Sequence, residues 1–299
     1  MQLRACLTAA ILRLTAVHVP SPRLNAELLL MFVLHCDRAY LFAHPERDLT
    51  EDEQSTYQTV LAERVRGVPA QYITGHQEFW GMDLIVTPAV LIPRPETEHL
   101  IEAMLELRKA DVGPQTSGRS LPTPDVRGLR SALRIADIGT GSGAIALALA
   151  REFPHAEIHA TDISVPALEI ARANAARLQL ENHIQFHQAD LLAGLNPPFD
   201  FIVSNPPYVG ESEEDEVQLE VRKFEPRSAV FAGPTGLEII ARLIPQARVA
   251  LRPGGWLILE ISGAIAAEAK SLLAGWDEVR ILPDLQSIPR VARARKPRQ

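Results

Sequence analysis

Apolar residues among the first 75 positions recur at the three- and four-residue spacing of a helix. The clearest apolar face consists of Leu3, Leu7, Ala10, Ile11 and Leu14. Ser21-Pro22 is typical of a helix start, because proline lacks the N–H that the first helical position leaves unpaired. Thr50-Glu51-Asp52-Glu53 has the pattern of a capping box. The sequence therefore predicts three or four short helices, which we interpret as a helical substrate-recognition domain over residues 1–75.

The pattern changes in the segment that follows. Phe79-Trp80 and Leu84-Ile85-Val86 are typical of strands and are separated by Gly81-Met82-Asp83. We expect a hairpin or extended connector over residues 76–95. Glu96 and Glu98 then occupy the first turn of a new helix, where acidic side chains favour the helix dipole.

From residue 133 onward, strand-like and helix-like segments alternate. The strand-like segments are 134–138, 157–161, 184–187, 201–204 and 255–261, and the helix-like segments are 144–151, 165–178 and 237–251. Repeated strand–helix units predict a parallel sheet covered on both faces, with a ligand at the carboxyl ends of the strands. The predicted fold class is therefore α/β, with a Rossmann-like domain over residues 96–299. Residues 109–131 collect Gly, Pro, Ser and Thr and are interpreted as a mobile loop.

Length, composition and charge narrow the class of protein. The chain has 299 residues, 46% of them apolar, and no apolar run long enough to span a bilayer. Its net charge of −7 argues against a nucleic-acid backbone as main partner, although the tail 290–298 holds five basic residues and no acid. This tail is interpreted either as a frayed terminus or as a contact for RNA or an acidic partner. Cys6 and Cys36 lack metal-ligand spacing, so we expect core thiols, no metal and a cytoplasmic location.

A glycine-rich loop links the first strand of the alternating region to the next helix. It consists of Asp137-Ile138-Gly139-Thr140-Gly141-Ser142-Gly143. Glycines allow a tight turn and let a ligand contact the backbone closely. The spacing Gly139-x-Gly141-x-x-Ala144 also fits the dinucleotide fingerprint, so a nicotinamide dehydrogenase and a purely structural turn remain alternatives.

Acidic residues beside this loop favour S-adenosylmethionine over a dinucleotide. Asp137 would repel a pyrophosphate at the helix start, but it would attract the cationic amino-acid end of S-adenosylmethionine. Asp162 ends the second strand, where its carboxylate can accept hydrogen bonds from ribose hydroxyls. Asp190-Leu191 follows the third strand, and Asp190 either accepts from the adenine amine or is an ordinary loop acid.

The strongest chemical signal is Asn205-Pro206-Pro207-Tyr208, directly after a strand. An amide nitrogen is a poor nucleophile, so acceptors must hold both N–H groups and direct its electron density at the methyl donor. The Asn205 side-chain oxygen and the Pro206 carbonyl can be these acceptors, and Tyr208 can lie against a flat amide or base. The alternative is that the prolines only end the strand.

At this point the chain resembles the protein-(glutamine-N(5)) methyltransferases that modify peptide chain release factors. The resemblance covers nearly the whole chain and includes residues 69–75, 78–81, 90–98, the glycine loop, residues 204–208, Glu225-Pro226 and Gly254-Gly255. Residues 204–208 are shared with adenine amino-methyltransferases of DNA and with some ribosomal RNA enzymes. Residues 72–81 and 92–98, by contrast, are specific to the glutamine enzymes.

The resemblance implies a helical domain that recognises the release factor and a seven-stranded methyltransferase domain whose last strand is antiparallel. It implies S-adenosylmethionine as cofactor and the glutamine of the release factor's Gly-Gly-Gln motif as target. By position, the cofactor would contact Gly139, Thr140, Gly141, Ser142, Gly143, Asp162, Leu191 and Asn205. The glutamine amide would contact Asn205, Pro206, Pro207 and Tyr208.

The chain departs from the family pattern at four places. The segment 109–131 is longer than expected, and serine replaces the usual glycine at Ser262 and Ser287. Leu191 stands where family members can carry an aromatic residue that stacks on adenine. None of these changes affects the chemistry of residues 205–208.

Three functions follow as hypotheses. The first is methylation of the release-factor glutamine by a monomeric enzyme that needs neither nucleic acid nor membrane. The second is amino-methylation of adenine in DNA or of a ribosomal RNA base, which the acidic residues between 211 and 216 disfavour by repelling phosphates. The third is a non-catalytic nucleotide-binding module or a dehydrogenase, which leaves residues 205–208 unexplained.

Overall fold

A computed structural model of the chain describes residues 1–112 and 132–298. The loop predicted over residues 109–131 lies largely outside these described residues. Within them, no helix is long and apolar enough to cross a bilayer. The α/β prediction is confirmed, since a seven-stranded, mostly parallel sheet follows a helical amino-terminal region.

The amino-terminal region contains five helices, so the expectation of three or four is wrong. They are α1 (Leu3–Ala16), α2 (Pro22–Leu34), α3 (Arg38–Ala43), α4 (Glu51–Val65) and α5 (Ala70–Thr74). Helices α3 and α5 span only 6 and 5 residues, too few for an apolar period to show. The predicted capping box is present: Thr50 accepts from the Glu53 N–H, and Glu53 accepts from the Thr50 N–H. A core of its own, which includes Leu14, Leu30 and Tyr57, holds the five helices together.

A two-residue turn makes the connector into a hairpin. Strands β1 (His76–Phe79) and β2 (Met82–Ile85) pair antiparallel, and Phe79 lies directly opposite Met82. Trp80 and Gly81 therefore form the whole turn, with positive φ at both positions as a type I′ turn requires. Met82 and its neighbour Asp83, which we assigned to the turn, belong to the strand.

The main sheet has the strand order β10-β11-β9-β6-β3-β4-β5, and only β11 runs antiparallel to its neighbours. Its strands are β3 (Arg134–Ile138), β4 (Glu157–Asp162), β5 (Ile184–Gln188), β6 (Phe199–Ser204), β9 (Leu251–Glu260), β10 (Asp277–Pro283) and β11 (Pro289–Arg295). A further short pair is β7 (Val209–Gly210) with β8 (Phe231–Gly233). The prediction of a seven-stranded sheet with an antiparallel last strand is confirmed.

Helices cover both faces of this sheet. They are α6 (Glu98–Val112), α7 (Ala144–Glu152), α8 (Val165–Arg177), α9 (Leu219–Phe224), α10 (Arg227–Val230), α11 (Glu238–Ala250) and α12 (Ala266–Leu272), and two 3-10 turns span Pro95–Thr97 and Glu211–Glu216. One apolar core packs α6 and α7 against one face, and a second packs α11 and α12 against the other. The parallel strands β4, β3 and β6 lie side by side, so their carboxyl ends open at one edge.

A buried arginine joins the amino-terminal helical region to the part of the chain that contains the main sheet. The Arg64 side chain on α4 is 4% exposed and donates to Glu220 on α9 at 2.7 Å. It also donates to Asn25 at 2.7 Å and to the Val68 carbonyl at 3.1 Å. Arg64 thus satisfies acceptors from both parts of the chain.

We expect Arg64→Ala to lower the free energy of unfolding by about 3 kcal/mol, because it leaves Glu220 and Asn25 without their charged donor. The matched control is Arg66→Ala, two residues along, whose side chain is 70% exposed and 3.7 Å from Glu63. This control should change stability by less than about 0.5 kcal/mol. Denaturant titrations measure both values, and similar losses in the two variants would contradict the role of Arg64.

Candidate active site

The glycine loop turns sharply between β3 and α7 and leaves its backbone open on one side. Gly139 and Gly141 have φ of +72° and +55°, and a Cβ on either would meet nothing within 4 Å. The N–H groups of Gly139 and Thr140 donate to the Thr161 carbonyl at 2.9 and 2.8 Å. These bonds tie the loop to the end of β4 and hold its open side towards a cavity.

Asp162, the last residue of β4, is held by backbone donors. The Gly141 N–H donates to Oδ2 and the Ser164 N–H donates to Oδ1, both at 2.9 Å. Each carboxylate oxygen can accept a second hydrogen bond. Because Asp162 borders the cavity, it offers these free acceptor positions to a ligand.

Asp137 lies beneath the glycine loop and does not border the cavity. Its Oδ2 accepts from the Thr140 hydroxyl at 2.6 Å and from the Ala146 N–H at 3.2 Å. Its Oδ1 is buried and has no partner among residues 1–112 and 132–298. Burial raises the pKa of Asp137 from 3.8 to about 7, against the lowering effect of these two donors.

Asp190 and Leu191 follow β5 and form the far wall of the cavity. Asp190 is paired with Arg242 on α11, so its carboxylate already has a partner. Leu191 has a positive φ of +56°, and its carbonyl accepts from the Thr161 hydroxyl at 3.0 Å. The backbone there is fixed by β4, and the leucine side chain packs against the neighbouring apolar core.

The large cavity between these loops has a volume of about 380 Å³, within the size range of small-molecule sites. Of the residues singled out from the sequence, those that border it are Gly139, Thr140, Gly141, Ser142, Asp162, Asp190, Leu191, Asn205 and Pro207. Gly143 is the residue directly before α7, and Asp137 lies below the glycine loop; neither borders the cavity. No group of three or more His, Cys, Asp or Glu side chains within the described part of the chain could hold a metal ion.

Asn205 is oriented by a threonine from a distant segment. Its side-chain N–H donates to the Thr97 hydroxyl at 3.0 Å, and Thr97 is buried. Because the nitrogen of the Asn205 amide is used in this way, its oxygen remains the available acceptor. The preceding residue, Ser204, donates to the Ile138 carbonyl at 2.6 Å and ties the end of β6 to the end of β3.

Tyr208 is anchored through its hydroxyl. It donates to Oε1 of Glu260, the last residue of β9, at 3.0 Å. Burial, and then the nearby carboxylate of Glu260, raises the pKa of Tyr208 far above its usual value. Tyr208 is therefore a neutral, fixed wall and not a proton acceptor.

A small cavity of about 240 Å³ lies on the other side of residues 205–208. Its lining comprises Leu91, Arg94, Asn205, Pro206, Pro207, Tyr208, Val209, Val217, Gln218, Val221, Ala229, Val230 and Glu260. Five of these residues also border the large cavity: Leu91, Arg94, Asn205, Pro207 and Ala229. The Asn-Pro-Pro-Tyr segment is thus part of the wall between two adjoining cavities, with Asn205 and Pro207 bordering both.

Glu225 holds in place the segment of residues 91–94, which borders both cavities. Its carboxylate pairs with Arg94 and accepts from the Ile92 N–H at 3.1 Å. Burial raises the pKa of Glu225, while the positive charge of Arg94 opposes that shift. Arg94, although half-buried, keeps its guanidinium between the cavities and the buried carboxylate.

Sequence reasoning gave no role to Arg94, Thr97, Glu225 or Glu260, although three of them lie in segments on which the resemblance depends. A usable signal existed for Glu260. It ends an apolar strand, as Asp162 does, and polar residues at the carboxyl ends of parallel strands meet at one edge. No comparable local signal marks Thr97, because its partner Asn205 is 108 positions away.

Two family models match the chain. The model described as PrmC N-terminal domain matches residues 5–75, and the model described as Methyltransferase small domain matches residues 110–223. A release factor glutamine methyltransferase of Koribacter versatilis is 52% identical over 299 residues, with 99% of each chain covered. One of Rhodopirellula baltica is 39% identical and covers 92% of this chain and 90% of its own length.

Among solved structures, the hMettl16 catalytic domain in complex with MAT2A 3′UTR hairpin 6 has a TM-score of 0.55. It covers 86% of this chain and 92% of its own, at 18% identity. A likeness at this identity shows the fold alone.

We expect the free energy of unfolding to fall with rising pH more steeply in the wild type than in Asp137→Asn. The folded-state pKa is raised, so the folded protein keeps a proton that the unfolded chain releases above about pH 4. This contribution is fully present below the unfolded pKa and is lost as pH rises through about 7. The full shift in the pKa of Asp137 corresponds to a change of about 4 kcal/mol at most in the free energy of unfolding. Denaturant titrations of both proteins between about pH 4 and 8 measure the difference, and a constant difference would contradict the prediction.

Proposed function

The chain belongs to the family of release factor glutamine methyltransferases, and from this premise we propose its reaction and the roles of its residues. It transfers a methyl group from S-adenosylmethionine to the side-chain amide nitrogen of the glutamine in the Gly-Gly-Gln motif of peptide chain release factors. The observation that carries the proposal is the shared wall of residues 205–208 between a large and a small cavity. Two reactants in these cavities would meet at Asn205 and Pro207.

The residues around the large cavity fit S-adenosylmethionine. The open sides of Gly139 and Gly141 leave room for a ligand against the backbone, and Asp162 has acceptor capacity for ribose hydroxyls. Leu191 offers an apolar surface for adenine. When bound, the cofactor would supply a methyl group on a positively charged sulfur, which attracts the nucleophilic nitrogen. Asp137 lies below the loop, makes no direct contact with the large cavity and, with a pKa of about 7, is only partly ionised at neutral pH.

The small cavity fits the glutamine side chain. Asn205 presents its amide oxygen as acceptor because Thr97 occupies its nitrogen, and Pro206 adds a carbonyl without a competing N–H. Two acceptors hold the target nitrogen in one orientation and stabilise the positive charge that it gains during methyl transfer. Pro207 and Tyr208 exclude water from the reacting atoms during the transfer, in which the new N–C bond would form as the S–C bond of the donor breaks. The methylated nitrogen would then give up one proton to solvent.

The acidic turn beside the small cavity favours a protein over a nucleic acid. The exposed 3-10 turn Glu211–Glu216 carries five acidic side chains and is followed directly by Val217 and Gln218, which line the small cavity. Arg222 pairs with Asp215, and Arg227 pairs with Glu214, so only part of this charge is balanced. Phosphates approaching the site would be repelled.

The proposal is tested by methyl transfer from labelled S-adenosylmethionine to a purified release factor. A Gly-Gly-Gln→Gly-Gly-Ala factor and duplex DNA serve as comparison substrates. We expect label on the intact factor alone, because only its glutamine offers the amide that residues 205–208 hold. Label on DNA alone would refute the proposal and favour a nucleic-acid amino-methyltransferase.

In the same assay, Asn205→Ala should lower kcat by at least about 100-fold, because one of the two acceptors on the amide is lost. Calorimetry with S-adenosylmethionine serves as the control and should show nearly unchanged affinity, since Asn205 is one of many residues around the large cavity. Wild-type turnover in this variant would contradict the role of Asn205.

Thr97→Val should lower kcat about 10- to 100-fold, because the Asn205 amide loses the acceptor that fixes its orientation. Thr97→Ser keeps the hydroxyl and is the matched control, which should retain most of the activity. Equal kcat values for the two variants would show that the hydroxyl does not position Asn205.

A further inference from the structure

Glu260 is a buried carboxylate that the proposed reaction does not yet use. It ends β9, which pairs in parallel with β6, so it lies beside the start of the Asn-Pro-Pro-Tyr segment. Its exposed fraction is 1%. It borders the small cavity but not the large one. A charge at this place acts on the occupant of the small cavity and has no contact with a cofactor.

The two oxygens of Glu260 have different surroundings. Oε1 accepts from the Tyr208 hydroxyl at 3.0 Å. Oε2 is buried and makes no hydrogen bond to any residue that the structure describes. Buried polar atoms almost always have a partner, so the unpartnered Oε2 gives this side of the small cavity an uncompensated negative potential.

The charged and polar groups around Glu260 do not form a closed ion pair with it. Burial, and to a smaller extent the negative charge of Glu96, raises its pKa, and the nearby hydroxyls of Thr97 and Tyr208 and the charge of Arg290 lower it. Arg290 donates instead to Asp284, from Nε at 3.2 Å and from Nη2 at 3.0 Å. The guanidinium therefore favours the ionised form of Glu260 from a distance and makes no hydrogen bond to Oε2.

We propose that Glu260 determines the specificity of the small cavity: the negative potential of its Oε2 stabilises a side-chain amide whose N–H groups Asn205 and Pro206 hold, and it repels a side-chain carboxylate. This inference rests on the proposed function, since it concerns the side chain that enters the small cavity. An ionised carboxylate is only an acceptor, and an amide is the uncharged group that offers it donors. A glutamate in place of the target glutamine would bring a second negative charge into a water-poor cavity, which costs affinity. The same charge favours the positive charge that develops on the amide nitrogen during methyl transfer.

The test compares the affinity of the enzyme for a release factor and for its Gly-Gly-Gln→Gly-Gly-Glu variant. Calorimetry is done with enzyme saturated with S-adenosylhomocysteine, so that no reaction occurs. We expect the wild type to bind the glutamine factor at least about tenfold more tightly than the glutamate factor. In Glu260→Gln, which keeps the size and an acceptor for Tyr208, this ratio should fall below about threefold. Equal wild-type affinities, or an unchanged ratio in Glu260→Gln, would overturn the proposal.

One further variant separates charge from packing. Tyr208→Phe removes the bond to Oε1 but keeps the carboxylate of Glu260, so the affinity ratio should persist even where the rate falls. A lost ratio in Tyr208→Phe would count against the proposal even if Glu260→Gln does not fold. Affinity for S-adenosylmethionine, measured for every variant, reports whether the fold is intact.

The outcomes distinguish this inference from the proposed function. If the wild type does not methylate the glutamine factor at all, the proposed function fails. If it methylates the factor but Glu260→Gln keeps the full preference for glutamine, only the inference about Glu260 fails.

Discussion

Parallel pairing of β3 with both β4 and β6 is the constraint on which the rest of the site depends. Because the three strands run in the same direction, the loops that follow them leave the sheet at one edge. The glycine loop, Asp162 and residues 205–208 therefore meet, although about 70 positions separate the first from the last. Ser204 and Thr161 reinforce this convergence by bonding to neighbouring strand ends. The two cavities that these loops border therefore adjoin one another.

The segment of residues 91–97, before α6, contributes contacts that orient residues of the site. It lies across both cavities, held by the buried carboxylate of Glu225 through Arg94 and the Ile92 N–H. It also carries Thr97, which sets the orientation of the Asn205 amide. The helical region reaches the same neighbourhood through the pair of Arg64 with Glu220, on the helix that carries part of the small-cavity lining. Elements from three parts of the chain therefore fix a single wall between the cavities.

The chemistry of that wall is unusual in containing few titratable groups near the reacting atoms. Asn205, Pro206 and Pro207 offer hydrogen-bond acceptors on a rigid backbone, but none of them has a side chain that titrates as an acid or a base. Tyr208 is held neutral by burial and by Glu260. Such a set suits a weak nucleophile that needs orientation more than deprotonation, because the proton becomes acidic only after the nitrogen has been methylated. In addition to this orientation, the buried carboxylate of Glu260 would favour an uncharged amide over a carboxylate in the small cavity.

The sequence by itself determined the α/β class, the strand and helix segments of the second half and the family, and it placed the Asn-Pro-Pro-Tyr motif directly after a strand. These follow from local signals: apolar period, capping residues and motifs in which the reacting groups are contiguous. Two helices of the first region escaped because they are shorter than one apolar repeat. The domain boundaries and the roles of all the predicted site residues as ligand contacts stay predictions. Only the tertiary structure decided that Thr97 orients Asn205, that Glu225 holds Arg94 and that Glu260 borders the small cavity. Each of these contacts joins side chains 50 or more positions apart, and no local pattern encodes which buried carboxylate will lie beside which cavity.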